Sequence, residues 1–568
     1  MSGALDRFFD HYYRARPVNA TFTGVHDYDD ALPDWSVEGL TAFAADARRS
    51  NADLLDAHPA SALIHGKDGS SLDALDADLA RRYLEIGVAE NEGSHGVRAN
   101  PSLWTGEAVF SVISLMIRPF APLDQRLIAA AARLDAIPAF LGHARATIGE
   151  GAIPEPWAAR ALRECEGAQV LLERGVEPWL LSAPHDGANA ARVRAGATRA
   201  AGAFGTFTGW LRERPAAGSD ALACGPEFFD LLLARGHHCA RSRAALLFDA
   251  RSRLAGARAT LDAMALDAMA LDAMALDAGG AWEAAQERIA ADHPQADDFF
   301  PAFDRTWRAC RALAAERDVV TWPDWPIRYV PYPEWTREAA PYLYYLHYRS
   351  PAPSDAAAMH EYVVPPLDER DPEPQLRAWN HAAITLNHVV HHGAIGHHVQ
   401  NWHAYHRARS RIGKVAAVDC ASRIGMFCAG TMAEGWACYA TELMEELGFL
   451  SPLERLSQQH TRVRLLARAI ADIELHQRSM TFDDAVRFYV DTLAMPEAAA
   501  RAEATKNSMF PCTGLMYWLG TQGILDLREA LRRRRGAAFS LKAFHDELLG
   551  HGSIPVPLIA RLMLAEAA

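Results

Sequence analysis

Apolar side chains recur at spacings of three and four through much of the chain, for example in residues 124–137, 190–211, 228–254 and 465–476. That period matches one buried face of an α-helix, and abundant Ala and Arg favour the same state. The first of these helices is expected to stop at Pro138, which lacks an amide hydrogen and clashes with the preceding turn. Period-two alternation is scarce. The strand candidates are Tyr362-Val363-Val364, closed by Pro365, and Ile327-Arg328-Tyr329-Val330.

Two stretches depart from this pattern. Leu261-Asp262-Ala263-Met264-Ala265 recurs from Leu266 and Leu271, then breaks off at Gly279-Gly280. A five-residue period advances about 140° beyond a full turn, so it cannot keep one apolar stripe on one face. It reads as a sequence expansion inside a helix. Residues 322–366 are rich in Pro and aromatics, including Trp325, Tyr329, Tyr332, Trp335, Tyr342, Tyr344, Tyr345 and Tyr348. Such composition favours loops and edge strands, and the segment is read either as a cleft lining or as a packed aromatic layer. The expected fold class is mostly α: a single large helical domain over residues 1–568 with a small β element. No low-complexity linker divides it.

Composition narrows the function classes. The chain has 568 residues, half of them hydrophobic, and a net charge of −14. An acidic surface argues against nucleic acid or an anionic membrane as the main partner. The run Arg532-Arg533-Arg534-Arg535 is read as a solvated helix end. The eight cysteines, Cys165, Cys224, Cys239, Cys310, Cys420, Cys428, Cys438 and Cys512, include no Cys-x-x-Cys pair, which excludes a zinc knuckle of that kind. Sparse cysteines, no signal-like apolar core and no uninterrupted apolar run of about 18 residues lead to the expectation of a soluble cytoplasmic protein.

The chemistry concentrates in residues 387–406, which hold seven histidines: His388, His391, His392, His397, His398, His403 and His406. Neutral imidazole is the commonest protein ligand for zinc and similar metals. On a regular helix His388 could share an ion with His391 or His392. His391 and His397 are six apart, about 120° out of phase, and can meet only if the helix is broken between them. Gly393 and Gly396 make such a break plausible. A carboxylate is a common third ligand, and the helical segment around Glu434 offers one.

At these residues the chain resembles the bacterial domain-of-unknown-function family 885, whose members resemble helical zinc peptidases of the gluzincin type. The family pattern His-Glu-x-x-Pro-Gly-His-(His)-x-Gln stands here as His391-His392-Gly393-Ala394-Ile395-Gly396-His397-His398-Val399-Gln400. Glu-Gly-Trp-Ala-x-Tyr stands as Glu434-Gly435-Trp436-Ala437-Cys438-Tyr439. Further blocks are matched by Arg468, Asp472 and His476, by Glu503, Pro511, Tyr517 and Gly520, and by Thr23-Gly24-Val25-His26-Asp27-Tyr28-Asp29. The resemblance implies a zincin-like, metallopeptidase-related architecture, with metal ligands His391, His397 and Glu434 in a site region over 387–520. It puts Tyr517 and His476 near substrate. The implied cofactor is a divalent metal, zinc first, with iron or manganese as alternatives.

The sequence departs from the family where the peptidase chemistry lives. His392 replaces the glutamate that serves as general base, Ile395 replaces the proline, and Cys512-Thr513 replace Gly-Gln. Lys506-Asn507 stand where the pattern has Arg-Tyr. Three readings follow. One is a metal-dependent enzyme of altered chemistry on a small amino-acid-like or carbonyl metabolite. Another is a peptide or amide hydrolase using His392, Asp472 or His476 as base. The last is a non-catalytic metal-binding relic. His388 or His398 could also stand in for a proposed ligand.

Overall fold

The computed structural model describes residues 3–58, 69–269, 281–343, 348–349, 352–355, 360–416 and 425–566. These are mostly helical, with few strands. The chain gathers into two compact units. One comprises residues 1–224, 332–359 and 418–424, and the other 225–331, 360–417 and 425–568.

The first unit is built on α1 (Pro101–Met116), α2 (Leu123–Ile148), α3 (Glu155–Val170) and α4 (Gly187–Arg212). Helices α2 and α4 pack along their lengths, and α1 packs on α2 and α3. Two short strands, β1 (Ile153–Pro154) and β2 (Ala216–Ala217), pair in parallel. Contrary to the expected stop, α2 runs straight through Pro138. Proline inside a helix costs about 3 kcal/mol. Leu134, Ile137, Phe140 and Leu141 are all buried around it, at about 1.5–3 kcal/mol each, and outweigh that cost. Helix α2 is long and apolar enough to cross a membrane by composition, yet 56% of that window is buried and it holds the buried Arg126 and Arg133. It is a core helix of this unit.

The second unit contains α5 (Arg243–Met269), α6 (Phe299–Glu316), α7 (His397–His406), α8 (Gly430–Glu446), α9 (Pro452–His476), α10 (Glu497–Met509) and α11 (Thr513–Arg535). Both expected strands form, as β3 (Arg328–Pro331) and β4 (Glu361–Val364), and pair in parallel with Tyr329 opposite Tyr362. Helix α9 packs on α5 and α11, and α8 crosses α11. At that crossing a Cβ on Gly435 would lie 2.6 Å from the Gly520 Cα, so only glycines allow the two backbones to approach.

Residues 190–211 and 465–476 lie within helices, as their spacing predicts. The segment 228–254 does not stay helical. Pro226–Leu231 widens into a π-turn at Leu232–Gly236, the chain leaves the helix at His237, and α5 begins at Arg243. His238 takes a positive φ of 52°, and buried His237 donates from Nε2 to the Cys512 carbonyl at 3.0 Å. That tertiary bond and Gly236 defeat the local periodicity. In the five-residue repeat Leu261 is buried whereas Leu266 is 54% exposed, the drift expected of that period. The repeat from Leu271 to Gly280 lies outside the described residues, as do Cys420, Tyr344 and Tyr345. The arginine run ends α11 with Arg532, Arg533 and Arg534 exposed.

Candidate metal centre

The histidine-rich segment is not a regular helix. Residues Ile384–Gly393 form a π-helical segment of ten residues, which ends where Ala394 and Gly396 leave helical geometry. Helix α7 restarts at His397. The Gly396 amide donates back to the Val390 carbonyl at 2.9 Å, which folds the chain tightly over itself. An added Cβ at Gly396 would meet the His391 carbonyl carbon at 2.5 Å. Two indole N–H groups fasten the break: Trp307 donates to the Gly393 carbonyl at 2.8 Å, and Trp436 to the Ile395 carbonyl at 2.9 Å.

This break turns His391 and His397 toward each other, their ring centroids 4.9 Å apart. Glu434, projecting from α8 and only 5% exposed, meets both. Its Oε2 lies 3.4 Å from His391 Nε2 and 3.7 Å from His397 Nε2. Bonds of about 2.0–2.1 Å to a tetrahedral ion put neighbouring ligand atoms about 3.4 Å apart, so the donor set fits a divalent metal. Burial alone would raise the Glu434 carboxyl, but hydrogen bonding and charge from His391 and His397 hold it well below the usual carboxylate range. His392 joins the group: one ring nitrogen each from His391, His392 and His397 fall within 4.8 Å of one another.

Neighbouring groups set the tautomers. His397 Nδ1–H donates to Gln400 Oε1 at 3.1 Å, one turn along α7, which leaves Nε2 as the ligand atom. His392 Nδ1–H donates to the Asn387 carbonyl at 2.6 Å, so its Nε2 is also an acceptor. Burial, with the adjacent His391 and His397, pushes the His392 pKa well below its ordinary value and keeps the ring neutral. Tyr517, from α11, donates its hydroxyl to Glu434 Oε1 at 3.2 Å. Cys438, one turn after Glu434, has its sulfur 4.0 Å from His391 Nδ1. Burial raises this thiol and keeps it protonated.

The remaining histidines are engaged elsewhere. His388 stacks on Trp379 at 4.0 Å, with its Nδ1 2.6 Å from the Tyr362 hydroxyl. His398 donates to the Trp325 carbonyl at 2.7 Å, and His403 to the Thr321 carbonyl at 2.9 Å. The contacts named here for His388 and His398 run to Trp379, Tyr362 and the Trp325 carbonyl, and those that reach Glu434 come from His391 and His397. In the aromatic segment, Tyr329 and Tyr362 pack together at 5.4 Å, and Tyr362 lies 6.0 Å from His392.

Asp472 and His476 are fully buried on α9. Asp472 accepts from the amides of Cys512 at 3.1 Å and Leu515 at 2.9 Å, capping the start of α11 from another helix. His476 donates to the Asn507 carbonyl at 3.0 Å. Both therefore brace the segment that delivers Tyr517, rather than joining the atoms that face Glu434. Cys512 adopts a left-handed φ of 66°, a conformation suited to glycine, where the family pattern has glycine. Sequence reading quoted Gln400 and Cys438 within the family motifs but gave neither a role. Gln400 was accessible in principle, three residues after His397 on one helix face.

The family model for bacterial proteins of unknown function, DUF885, matches residues 17–563. The chain belongs to DUF885. No curated protein matches it. Two solved structures share the fold over the whole chain, each described as a “putative lipoprotein”. One, of unknown function and from Shewanella oneidensis, has a TM-score of 0.77 at 21% identity and covers 99% of this chain and 100% of its own. The other, from Colwellia psychrerythraea, has a TM-score of 0.75 at 15% identity, with full coverage of both chains. At these identities the DUF885 fold alone is shared. Their description as lipoproteins overturns the expected cytoplasmic placement, which is withdrawn. Charge and cysteine usage report on the folded body of a DUF885 protein and carry no cellular address.

Proposed function

We propose that the chain is a metal-dependent enzyme on a gluzincin-like, metallopeptidase-related scaffold. Its ligands would be His391, His397 and Glu434, with His392 standing where the peptidase base belongs. The reading rests on one observation above the others: two imidazole Nε2 atoms approach a single buried carboxylate oxygen at 3.4 and 3.7 Å. Zinc suits this donor set first, with iron or manganese as alternatives. When bound, the metal would supply Lewis acidity toward a substrate oxygen. His392 Nε2 can accept a proton beside the ligands because its Nδ1–H is held by the Asn387 carbonyl. Tyr517 orients the carboxylate through its 3.2 Å hydrogen bond and can turn its hydroxyl toward a substrate oxygen. The substrate in this reading is a small amino-acid-like or carbonyl compound, since the glutamate base of peptide hydrolysis is absent.

A second reading, a peptide or amide hydrolase with His392 as base, is favoured by the Nδ1–H bond to Asn387, which leaves Nε2 able to accept a proton. Metal analysis and one substitution separate the two. Purified protein should contain about one equivalent of metal, and chelator should lower its melting temperature; a metal-free, chelator-indifferent protein refutes both. His392→Glu should introduce peptidase activity absent from the parent. Metal-dependent cleavage of a peptide panel by the parent would instead establish the second reading.

A further inference from the structure

Two residues of the family blocks have no part in the site so far: Arg468 in one block and Glu503 in another. The fold brings them together. Arg468 on α9 donates from Nη2 to Oε2 of Glu503 on α10 at 2.7 Å. The two side chains are only 14% and 13% exposed, so water does little to loosen the pair.

Helix α11 rests on α9 at the same place. A Cβ on Gly514 would lie 2.9 Å from the Arg468 carbonyl oxygen and 3.0 Å from the Asp472 Cβ, so the glycine lets the two helices touch. Tyr517 follows Gly514 by one turn, on the same face of α11. The Arg468 guanidinium lies 5.3 Å from the centroid of the Tyr517 ring, over its π-face, where a cation is attracted. At the far end of that ring the hydroxyl donates to Glu434 Oε1 at 3.2 Å. The other oxygen, Oε2, is the one that meets His391 and His397. Contacts therefore run unbroken from Glu503 through Arg468 and Tyr517 to Glu434, across four helices of the second unit.

An ion pair that served only to tie α9 to α10 would not need the face of the tyrosine that reaches the centre. Tyr517 is half-buried, so packing alone leaves its ring free to rock on the open side. A guanidinium fixed by a carboxylate is planar and holds its orientation, which gives the ring a rigid wall. We propose that Arg468, held by Glu503, is a positioning residue of the candidate centre: it fixes the Tyr517 ring so that the hydroxyl occupies Glu434 Oε1 and leaves Oε2 to face the two imidazoles. The consequence for metal affinity rests on the proposed function. The positioning itself stands on the contacts.

The test uses the full chain in two states. In the first, metal-free protein carries meta-fluorotyrosine, and the Tyr517 fluorine resonance is the one lost in Tyr517→Phe. Glu434→Gln should shift that line in the parent, because the hydroxyl bonds to Glu434. The response should vanish in Arg468→Met and persist in Arg468→Lys, which keeps a cation for the ring and for Glu503. If Arg468→Met does not fold, Glu503→Gln replaces it and should abolish the same response by releasing the arginine. No response in the parent overturns the proposal, as does a response that survives in Arg468→Met or, in its place, Glu503→Gln. In the second state, zinc affinity is measured by competition with a chromophoric chelator. Arg468→Met and Tyr517→Phe should each weaken zinc by about tenfold. The double variant should stay within about twofold of Tyr517→Phe, since both remove the same support. Losses that multiply would show that Arg468 does not act through Tyr517. If the parent holds no zinc the metal reading fails, and the fluorine response alone decides the positioning role.

Discussion

Replacing Gly396 with alanine puts the broken helix under direct test. The new Cβ would lie 2.5 Å from the His391 carbonyl carbon and 2.7 Å from the Val390 carbonyl oxygen, against ordinary contacts of 3.4–4 Å. The His391 carbonyl oxygen is nearer still and would be overlapped outright; all three obstacles are backbone, so the chain must retreat by about 1.5 Å, and a packed interior resists that. Overpacking of this kind costs about 1–3 kcal/mol. The same retreat stretches the 2.9 Å bond from the Gly396 amide to Val390 and carries His391 away from Glu434, now 3.4 Å distant. The expected outcome is a folded protein with a lowered melting temperature and zinc affinity reduced by about 10–100-fold, the range seen when ligand support is disturbed. Equilibrium dialysis with elemental analysis measures the affinity, and thermal unfolding with zinc and with chelator measures the coupling. Gly142→Ala is the control, because a Cβ there meets nothing within 4 Å. A Gly396→Ala protein that binds zinc as tightly as its parent would refute the argument that this glycine builds the centre.

Glu434→Gln keeps the shape of the carboxylate and removes its charge; zinc at a hundredfold excess over Kd should stabilise the parent by about 2.7 kcal/mol and the variant by much less, read by chemical denaturation. Gln400→Ala should weaken zinc binding by about 10–100-fold through loss of the His397 Nδ1 acceptor, with the metal-free melting temperature little changed; an unaltered affinity would show that the 3.1 Å bond does not orient the ring. Burial pushes the Asp472 carboxyl up to about 7 from 3.8, against the backbone amides of Leu515, Cys512 and Gly514 that pull it down. The folded chain then keeps a proton that the unfolded chain releases, so this contribution is fullest below about pH 4 and is lost as pH rises toward about 7. Asp472→Asn should flatten that part of the stability profile, and parallel denaturation curves at about pH 5 and about pH 7.5 for the two proteins would show that Asp472 is ionised throughout.

Where local physics decided the outcome, the sequence was legible. Helices over 190–211 and 465–476 bury one face, so their spacing identifies them. The two strands combine β-branched and aromatic residues with a closing proline. The need for a break between His391 and His397 follows from helix geometry alone, and Gly393 and Gly396 stand at it. Elsewhere distant partners decide. Core contacts carry α2 through Pro138, and a bond from His237 to the Cys512 carbonyl interrupts 228–254. Asp472 has the look of a general base in a motif, yet it caps a helix some 40 residues away.

The ten residues of wide helical turn before Gly393 make the position of His391 a matter of counting as well as of chemistry. Each wide turn holds about one residue more than an α-turn. Closing the wide turns to ordinary winding with the same number of residues would swing His391 by about 100° away from Glu434, with every ligand still present in the sequence, whereas deleting a single residue between 384 and 390 would allow ordinary winding with His391 kept in phase. Among relatives, insertions and deletions in this stretch should therefore be as informative about retained metal binding as the identities of the ligands. A homologue with intact histidines but one residue fewer there should carry an ordinary helix in place of the wide turns and keep its histidines in phase.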